Sequence, residues 1–137
     1  MRYLLDSSVC IALLRDSSTL IARRFQETIA RHGSVCISSL VLCELWYGVY
    51  KSLRPVENAE TLQKFLRGPI EVMRFDDEDA RLAGEIRAEL ERTGKTIGSY
   101  DTLIAAQCVR HDLIVVVTSN VSEFKRVKAL RCQNWAK

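Results

Sequence analysis

The sequence predicts an α/β fold of three layers, in which a mainly parallel sheet lies between helices. Strand-like segments alternate with segments of helical period along the chain, which is the order typical of strands joined by helical crossovers. The run at 113–117 is entirely apolar and β-branched in its last four residues, as expected of a strand buried on both faces. Four acidic residues also adjoin or interrupt apolar segments, namely Asp6, Glu44, Asp101 and Glu123.

Length and composition predict one folded domain over residues 1–137. The chain is 47% hydrophobic and 27% charged, as in ordinary globular proteins. No apolar run approaches the roughly 18 residues of a membrane span, and Asp6 comes too early for a signal peptide. We therefore expect a cytoplasmic protein. The net charge of +3 permits a nucleic-acid partner without requiring one.

Cysteine and histidine usage favours buried thiols over metal ligands or disulfides. The five cysteines are odd in number and form no CxxC pair, and four of them lie inside apolar runs. We interpret them as small buried hydrophobic residues in a reducing compartment. His32 and His111 each stand alone beside a predicted helix end, so we expect them to be caps or surface groups.

The first half of the chain is predicted to contain two strands and four helices. Residues 3–5 form a short apolar run that ends at Asp6, which favours a buried strand. Ser7 and Ser8 are candidates to cap a helix that runs through Leu14. The other predicted elements are a helix at about 18–31, a strand at 35–37, a helix capped by Ser38-Ser39 that carries Glu44, and an amphipathic helix at 57–67 after a break at Arg54-Pro55.

The second half is predicted to contain two further strands and three helices. Gly68-Pro69 ends the preceding helix and introduces a strand at 70–75. The acids at 76–79 are interpreted as helix caps and a solvated helix face. The predicted elements that follow are a helix from Asp76 or Asp77 to about Arg92 ended by Gly94, a helix capped by Ser99, the strand at 113–117, and a polar turn with a short helix before a terminal segment reaching Trp135.

Two polar segments directly follow predicted strands. Asp6 follows the first strand, and Ser119-Asn120 follows the apolar strand at 113–117. In open parallel sheets, ligands bind at the carboxyl ends of the strands, near the point where strand order reverses. We therefore expect these two segments to face one crevice.

Each of the four acids, considered alone, could have a purely structural role that needs no metal. Asp6 could be a helix N-cap, Asp101 an acid that stabilises the first turn of its helix, and Glu123 a surface helix acid. Glu44 could pair with a buried arginine. It is the clearest anomaly, because it lies in a helix that is apolar almost all round, where a lone carboxylate is costly unless a positive charge compensates it.

Considered together, the four acids predict a divalent metal site. Carboxylates gathered near one point repel each other and their pKa values rise without a counter-ion. Magnesium or manganese relieves this repulsion through oxygen ligands, and the metal can activate water and polarise a phosphate. Basic residues near an acidic pocket, such as Lys125 and Arg126, would suit a phosphodiester substrate. No serine or cysteine has a plausible histidine base, and no glycine-rich phosphate loop is present.

An ordered set of motifs spans nearly the whole chain and resembles a known family. The motifs are Leu4-Leu5-Asp6-Ser7-Ser8, then Cys36-Ile37-Ser38-Ser39 leading to Glu44-Leu45, then 97–106 around Asp101, then Val117-Thr118-Ser119-Asn120 with Glu123-Phe124, and finally Asn134-Trp135. This set resembles the PIN-domain ribonucleases, specifically the VapC-type toxins of bacterial toxin–antitoxin pairs.

The resemblance implies a magnesium-dependent endoribonuclease. Asp6, Glu44 and Asp101 would form the acidic metal triad, and the fourth acid would fall at or near Glu123. Such toxins typically cut structured RNA, often a transfer RNA in its anticodon loop, and so inhibit translation. They are usually homodimers, and a small antitoxin, commonly with a DNA-binding domain, inserts a segment into the active site. The residues implied as supporting the site are Ser7, Ser8, Thr118 and Asn120.

The chain departs from the family pattern at two places. The family usually has Asp-Thr-Asn where this chain has Asp6-Ser7-Ser8, so an amide that braces nearby groups is lost at Ser8. Many PIN domains place the fourth acid at the position of Asn120, which leaves its assignment open between Glu123 and a replacement by Asn120. A catalytically weakened PIN domain that binds RNA or a protein without cleavage is therefore the alternative hypothesis.

A phosphoryl-transfer domain of the receiver or phosphatase kind is a second alternative. It would need a second acid close to Asp6 and a lysine after a later strand, and the chain has neither at those places. The apolar residues around 46–50 and the helix at 57–67 offer a subunit or antitoxin contact, although burial within one chain would explain them equally well.

Overall fold

Five parallel strands form the centre of the molecule. A computed structural model describes residues 1–16, 19–111 and 114–137, and its sheet has the strand order β3-β2-β1-β4-β5. Helices flank this sheet, so the predicted three-layer α/β fold is confirmed. The strands are β1 (Arg2–Leu5), β2 (Ser34–Ser38), β3 (Ile70–Met73), β4 (Ile114–Val117) and β5 (Arg131–Gln133).

The helices fall into two groups that pack separately. The four helices of the first half contact one another, while α5 packs along α6. Because crossovers between parallel strands are right-handed, reversing the direction of strand order places the two groups on opposite faces of the sheet. No helix of the described residues is both long enough and apolar enough to cross a membrane. The helices are α1 (Ser7–Arg15), α2 (Leu20–Ala30), α3 (Ser39–Lys51), α4 (Pro55–Leu66), α5 (Asp77–Arg92), α6 (Ser99–Arg110) and α7 (Val121–Phe124).

The order in which strands are added to the sheet reverses at the central strand β1. In the register of the sheet, Leu4 lies opposite Cys36 on one side and opposite Val116 on the other. The connections from β1 and β2 lead toward one edge, whereas the chain returns from β3 to β4 on the far side of β1. Ligand sites in such sheets form at this switch point, outside the carboxyl ends of the strands.

Side chains of the central strands form the core. Leu4, Leu5, Val116 and Val117 are fully buried, which explains why the two middle strands read as continuous apolar runs. Phe124 of the short helix α7 is also fully buried. The core therefore fixes both β1 and α7, and with them the polar residues that follow β1 and β4.

Helix caps agree with the sequence prediction at two helices and differ at two others. Ser38 caps α3, and Asp76 caps α5 in a capping box with Asp79. The prediction was wrong for α1, because the cap is Asp6 rather than Ser7 or Ser8. It was also wrong for α6, which begins after Gly98 without a side-chain cap, so Ser99 is already the first helical residue.

Most element boundaries shift by only a few residues from those predicted. The helix α2 begins at Leu20, and the predicted start at position 18 lies outside the described residues, as does position 113 of the strand that became β4. Pro55 starts α4, since proline is well tolerated in a first helical turn. Gly94 ends α5 with φ of 67°, a conformation that favours glycine. The strand β5 was not predicted.

Two predictions about individual side chains were wrong. Cys43 is exposed, whereas Cys10, Cys36 and Cys108 are buried as predicted, and burial raises the pKa of the Cys36 thiol to about 11. Within the acids at 76–79, Asp79 is fully buried rather than solvated. A run of four consecutive acids gave no signal that one member turns inward.

Candidate active site

Asp6 lies where β1 ends and α1 begins. Its backbone N–H donates to the carbonyl oxygen of Val117 at 3.1 Å, which joins the ends of β1 and β4. Its side-chain Oδ1 accepts from the Ser8 hydroxyl at 2.8 Å and from the Val9 N–H at 3.1 Å. The helix-cap interpretation of Asp6 is therefore correct, and the cap leaves Oδ2 without a protein donor among the described residues.

Asn120 joins two of the other acids. Its side-chain Nδ2 donates to Oδ2 of Asp101 at 3.0 Å and to Oε2 of Glu123 at 2.8 Å. The Asn120 backbone N–H donates in turn to the hydroxyl of Thr118 at 2.9 Å, and Thr118 is fully buried at the end of β4. A rigid strand end thus positions an amide that holds one carboxylate from α6 and one from α7.

Electrostatics show that the four acids share one neighbourhood. The pKa of Asp101 is raised above its ordinary value, chiefly because partial burial disfavours the charged carboxylate, and the hydrogen bond from Asn120 opposes this shift. The negative charges of Asp6, Glu123 and Glu44 raise the Asp101 pKa further. Since such interactions weaken with distance and solvent screening, Asp6, Glu44 and Glu123 lie near Asp101 at the carboxyl edge of the sheet. We call the region between these four carboxylates the crevice.

Glu44 reaches this crevice from α3. It is half-buried, and it acts on both Asp101 and Tyr100, whose pKa is raised by burial first and then by Cys43 and Glu44. The alternative of a buried arginine partner is not observed, because Glu44 is in no ion pair within the described part of the chain. Arg15 lies on the rim of the same groove as Glu44.

The donor chemistry suits a hard divalent cation, although the side chains are not assembled around one. Among residues 1–16, 19–111 and 114–137, no three His, Cys, Asp or Glu side chains lie in an arrangement ready to hold a metal ion. Carboxylates that repel each other are expected to stay apart when no cation lies between them. The four acids are also in no ion pair with described side chains, and their oxygens are ligands that magnesium and manganese prefer.

The residues predicted to support the site differ in their contacts. The hydroxyl that contacts Asp6 belongs to Ser8, the position at which the sequence suggested a loss, whereas Ser7 is half-buried. Lys125 and Arg126 are exposed after α7. The guanidinium of Arg126 donates to the carbonyl oxygen of Thr96 at 2.7 Å, so part of its role is to hold the loop that leads into α6.

One site residue was missed by the sequence reasoning. Tyr100 is 43% exposed and directly precedes Asp101 in α6. Its position directly before the predicted metal ligand Asp101 was the signal in the sequence that could have identified it. The exposure of its ring, however, depends on how α3 and α6 pack, which periodicity does not reveal.

Comparison with known proteins agrees with this fold. Residues 3–130 match the PIN domain family. The chain is 38% identical over 135 residues to the tRNA(fMet)-specific endonuclease VapC of Salmonella typhimurium, with 98% of each chain covered. It is 35% identical over 135 residues to ribonuclease VapC2 of Haemophilus influenzae, again with 98% of each covered.

A solved structure gives the same result in three dimensions. The crystal structure of VapBC2 from Rickettsia felis bound to a DNA fragment from their promoter superposes with a TM-score of 0.89 at 34% identity, covering 98% of this chain and 99% of that chain. The chain therefore belongs to the PIN-domain family, and within that family to the VapC-type toxins, as the resemblance in its sequence predicted.

Proposed function

We propose that the chain is a magnesium-dependent endoribonuclease toxin of a cytoplasmic toxin–antitoxin pair. Its substrate is structured RNA, and we expect a transfer RNA cut in the anticodon loop, with inhibition of translation as the result. The observation that carries the proposal is a set of four carboxylates around the switch point of a parallel sheet that have no ion-pair partner among the described residues, Asp6, Glu44, Asp101 and Glu123. The names of the Salmonella and Haemophilus relatives support ribonuclease activity.

In this proposal Asp6, Glu44 and Asp101 hold the cation, with manganese as a possible substitute for magnesium. A bound divalent cation supplies an activated water and polarises the scissile phosphate. Ser8 and Asn120 fix the carboxylates of Asp6 and Asp101 by the hydrogen bonds described above.

Glu123 and Lys125 have separate tasks in the same proposal. Glu123 is held by Asn120 within reach of the same crevice, where a fourth carboxylate can accept a proton or complete the metal site. Exposed Lys125 attracts the phosphate backbone, which is the sequence-independent part of RNA binding.

A VapB-like antitoxin is the first partner in the proposal. A groove of about 290 Å³ lies between α1, α3 and α4 and reaches Glu44, so a segment laid along it would end at the site. Next to this groove, Tyr47, Tyr50, Leu53 and Val56 are 63–100% exposed, and exposed apolar patches mark interaction surfaces. The Rickettsia felis structure, a VapBC2 complex, supports such a partner.

A second copy of the chain is the other partner that we propose. The expectation comes from the family resemblance, and it is tested by the molar mass in solution of the purified chain without antitoxin. A mass of one chain across micromolar concentrations would refute the homodimer and leave the nuclease proposal untouched.

Cleavage is tested with the purified chain, free of co-purified protein, and total transfer RNA. The reaction is run in magnesium and in EDTA, beside Asp6→Asn, which removes a site charge but keeps an N-cap acceptor. Asp77→Asn is the matched control, because Asp77 is an exposed acid in the first turn of α5. We expect discrete products that require both magnesium and Asp6 and persist in Asp77→Asn.

A metal-binding measurement separates the two functional hypotheses. Magnesium should raise the Tm of the wild-type chain, since a ligand that binds only the folded state stabilises it, and Asp6→Asn should lose this rise. A folded protein that binds magnesium but cuts no RNA, including total cellular RNA, would favour the weakened PIN domain. The replacement of the usual amide by Ser8 is the observation that favours this second candidate.

A further inference from the structure

We propose that the ring of Tyr100 stacks on an RNA base next to the cut phosphodiester bond and thereby positions the substrate. This inference rests on the proposed ribonuclease function and deepens it, because it assigns a substrate-binding residue that orients the RNA. Tyr100 directly precedes Asp101 in α6 and is 43% exposed, so an RNA bound at Asp101 would lie beside its ring.

The first turn of α6 makes Tyr100 a fixed platform. Both the backbone N–H and the hydroxyl of Thr102 donate to the carbonyl oxygen of Gly98 at 3.0 Å, and Thr102 is buried. Successive helical residues point about 100° apart, given 3.6 residues per turn. Asp101 is therefore half-buried toward the crevice while Tyr100, one residue earlier, is 43% exposed beside it.

Tyr100 lies near two side chains of α3. Burial first, and then Cys43 and Glu44, raise the pKa of its phenol. Tyr100 thus stands between Asp101 on its own helix and Glu44 on the neighbouring helix, two of the acids that surround the proposed reaction centre. This position at the crevice distinguishes it from an exposed aromatic residue on an unrelated face.

The open face of the ring separates Tyr100 from the other exposed tyrosines. Tyr50 stacks on Trp46 with ring centroids 5.8 Å apart, and the ammonium of Lys51 lies 5.5 Å from the centroid of the Tyr47 ring. Within the described part of the chain, Tyr100 has neither an aromatic nor a cationic partner. Its π face is available to a ligand, whereas the other two are already partly used.

The charge of the surroundings selects a base as that ligand. Four carboxylates around the crevice repel a phosphate that approaches the ring directly, but a nucleobase carries no formal charge. Single-stranded RNA loops are commonly bound by bases that leave their stack and pack on aromatic side chains. An anticodon loop offers such bases, so Tyr100 would hold one flanking base while the neighbouring phosphate enters the acidic site.

Kinetics of a small variant set tests the inference. Stacking on one aromatic residue is worth roughly 1–3 kcal/mol per base by alanine substitution, so Tyr100→Ala should lower kcat/KM about 5- to 150-fold, mainly through KM. Tyr100→Phe keeps the ring and should stay within about threefold of wild type. Leu20→Ala is the control, since Leu20 is comparably exposed at 37% and lies in α2, which carries none of the assigned site residues, and it should leave kcat/KM unchanged.

A fluorescence measurement detects the stack itself. The RNA carries 2-aminopurine on either side of the mapped cut and is bound to Asp6→Asn, which does not cleave it. We expect the emission at one of these positions to be quenched, and the quenching to be lost in Asp6→Asn/Tyr100→Ala. Tyr100→Leu, which keeps apolar bulk without a π face, replaces the alanine variant if thermal unfolding shows that alanine disrupts α6.

The outcomes separate this inference from the proposed function. If the wild-type chain cuts no RNA, the proposed function itself fails. If it cuts RNA and both Tyr100→Ala and Tyr100→Leu retain kcat/KM and quenching, only the stacking role is overturned. A loss in Tyr100→Phe equal to that in Tyr100→Ala would also overturn it, because the hydroxyl rather than the ring would then be required.

Discussion

Two clusters of acids in this molecule have opposite electrostatic environments. At the start of α5, Asp76 and Asp79 surround the guanidinium of Arg110, with nitrogen–oxygen distances of 3.0 and 2.9 Å. At the carboxyl edge of the sheet, Asp101 and its three acidic neighbours form no ion pair with described side chains. The pKa of Asp76 is lowered, first by the Asp79 N–H and then by Arg110, whereas that of Asp101 is raised.

The contrast separates structural acids from those that we assign to function. Asp76 and Asp79 cap a helix, and Arg110 balances the buried carboxylate of Asp79, so this cluster needs nothing from outside the chain. At neutral pH the crevice acids carry a repulsion that an added cation would relieve. Perturbed titration in a cleft is a recognised sign of a functional site, and here a second acid cluster in the same fold serves as an internal reference.

The largest expected difference between the clusters is in catalysis. Asp101→Asn should lower kcat/KM by more than about 100-fold, because loss of even a supporting partner of a metal ligand typically costs 10–100-fold. Asp76→Asn, the same chemical change in the arginine cluster, should leave kcat/KM unchanged. Rates on the mapped RNA, with folding checked by circular dichroism, measure both variants, and an active Asp101→Asn would remove Asp101 from the reaction.

The next largest effect should be on stability, and here the cluster around Arg110, rather than the crevice acids, should be the sensitive one. Arg110→Ala leaves the fully buried Asp79 without its cation, so the free energy of unfolding should fall by about 2–4 kcal/mol. Activity per folded molecule should not change. Urea unfolding followed by fluorescence gives the free energy, and a loss below about 0.5 kcal/mol would mean that His111, 3.5 Å from Asp79, replaces the arginine.

A smaller effect is expected at Ser8. Ser8→Ala removes the hydroxyl that donates to Asp6, and we expect about a 10-fold loss in kcat/KM or in magnesium affinity. Ser8→Asn restores the residue usual in the family and should maintain or raise activity. A large loss in Ser8→Asn would show that this chain has rebuilt its first motif around serine.

The smallest effect should appear in the pH dependence of stability without metal. A raised carboxyl pKa makes the ionised Asp101 unfavourable in the folded state, so its cost is present above that pKa and disappears as the pH falls through it. At neutral pH in EDTA, Asp101→Asn should therefore raise the Tm, by roughly 3 °C or about 1 kcal/mol. This gain should vanish in acid.

Asp76 should show the opposite sign. Its lowered pKa contributes stability above the unfolded pKa of about 3.9, and this contribution is lost as the pH falls through the folded value. Asp76→Asn should therefore lower the Tm at neutral pH and converge with wild type in strong acid. Thermal unfolding across pH compares the two variants directly, and equal signs would contradict the distinction between the clusters.

The sequence predicted four of the five strands and the place of Asp6 at the end of the first strand, because both depend on local patterns. The β-branched run that became β4 and the acid directly after β1 are features of consecutive residues. Buried strands must be apolar, and a polar residue at a strand end marks the edge of the sheet, so their order along the chain was sufficient.

What the sequence missed depends on packing between distant segments. The inward turn of Asp79 is stabilised by Arg110, which lies 31 positions further along the chain. The strand β5 has exposed residues at both ends and lies at the edge of the sheet beside β4, so it lacks an apolar signature. Cys43 sits in an apolar run of α3 and yet is exposed, and sequence periodicity alone does not reveal which apolar residues of a helix are left uncovered.

The helix α7 is too short to be stable by itself. It has only four residues, whereas isolated helices below about 12–15 residues are marginal in water. Two hydrogen bonds and one buried ring hold it in place. Asn120 donates to Asp101 just before the helix, Arg126 donates to the Thr96 carbonyl oxygen just after it, and the ring of Phe124 is buried in the core. Whatever binds at the carboxylates must therefore alter how often α7 opens, so amide hydrogen exchange at 121–127 becomes a local gauge of site occupancy.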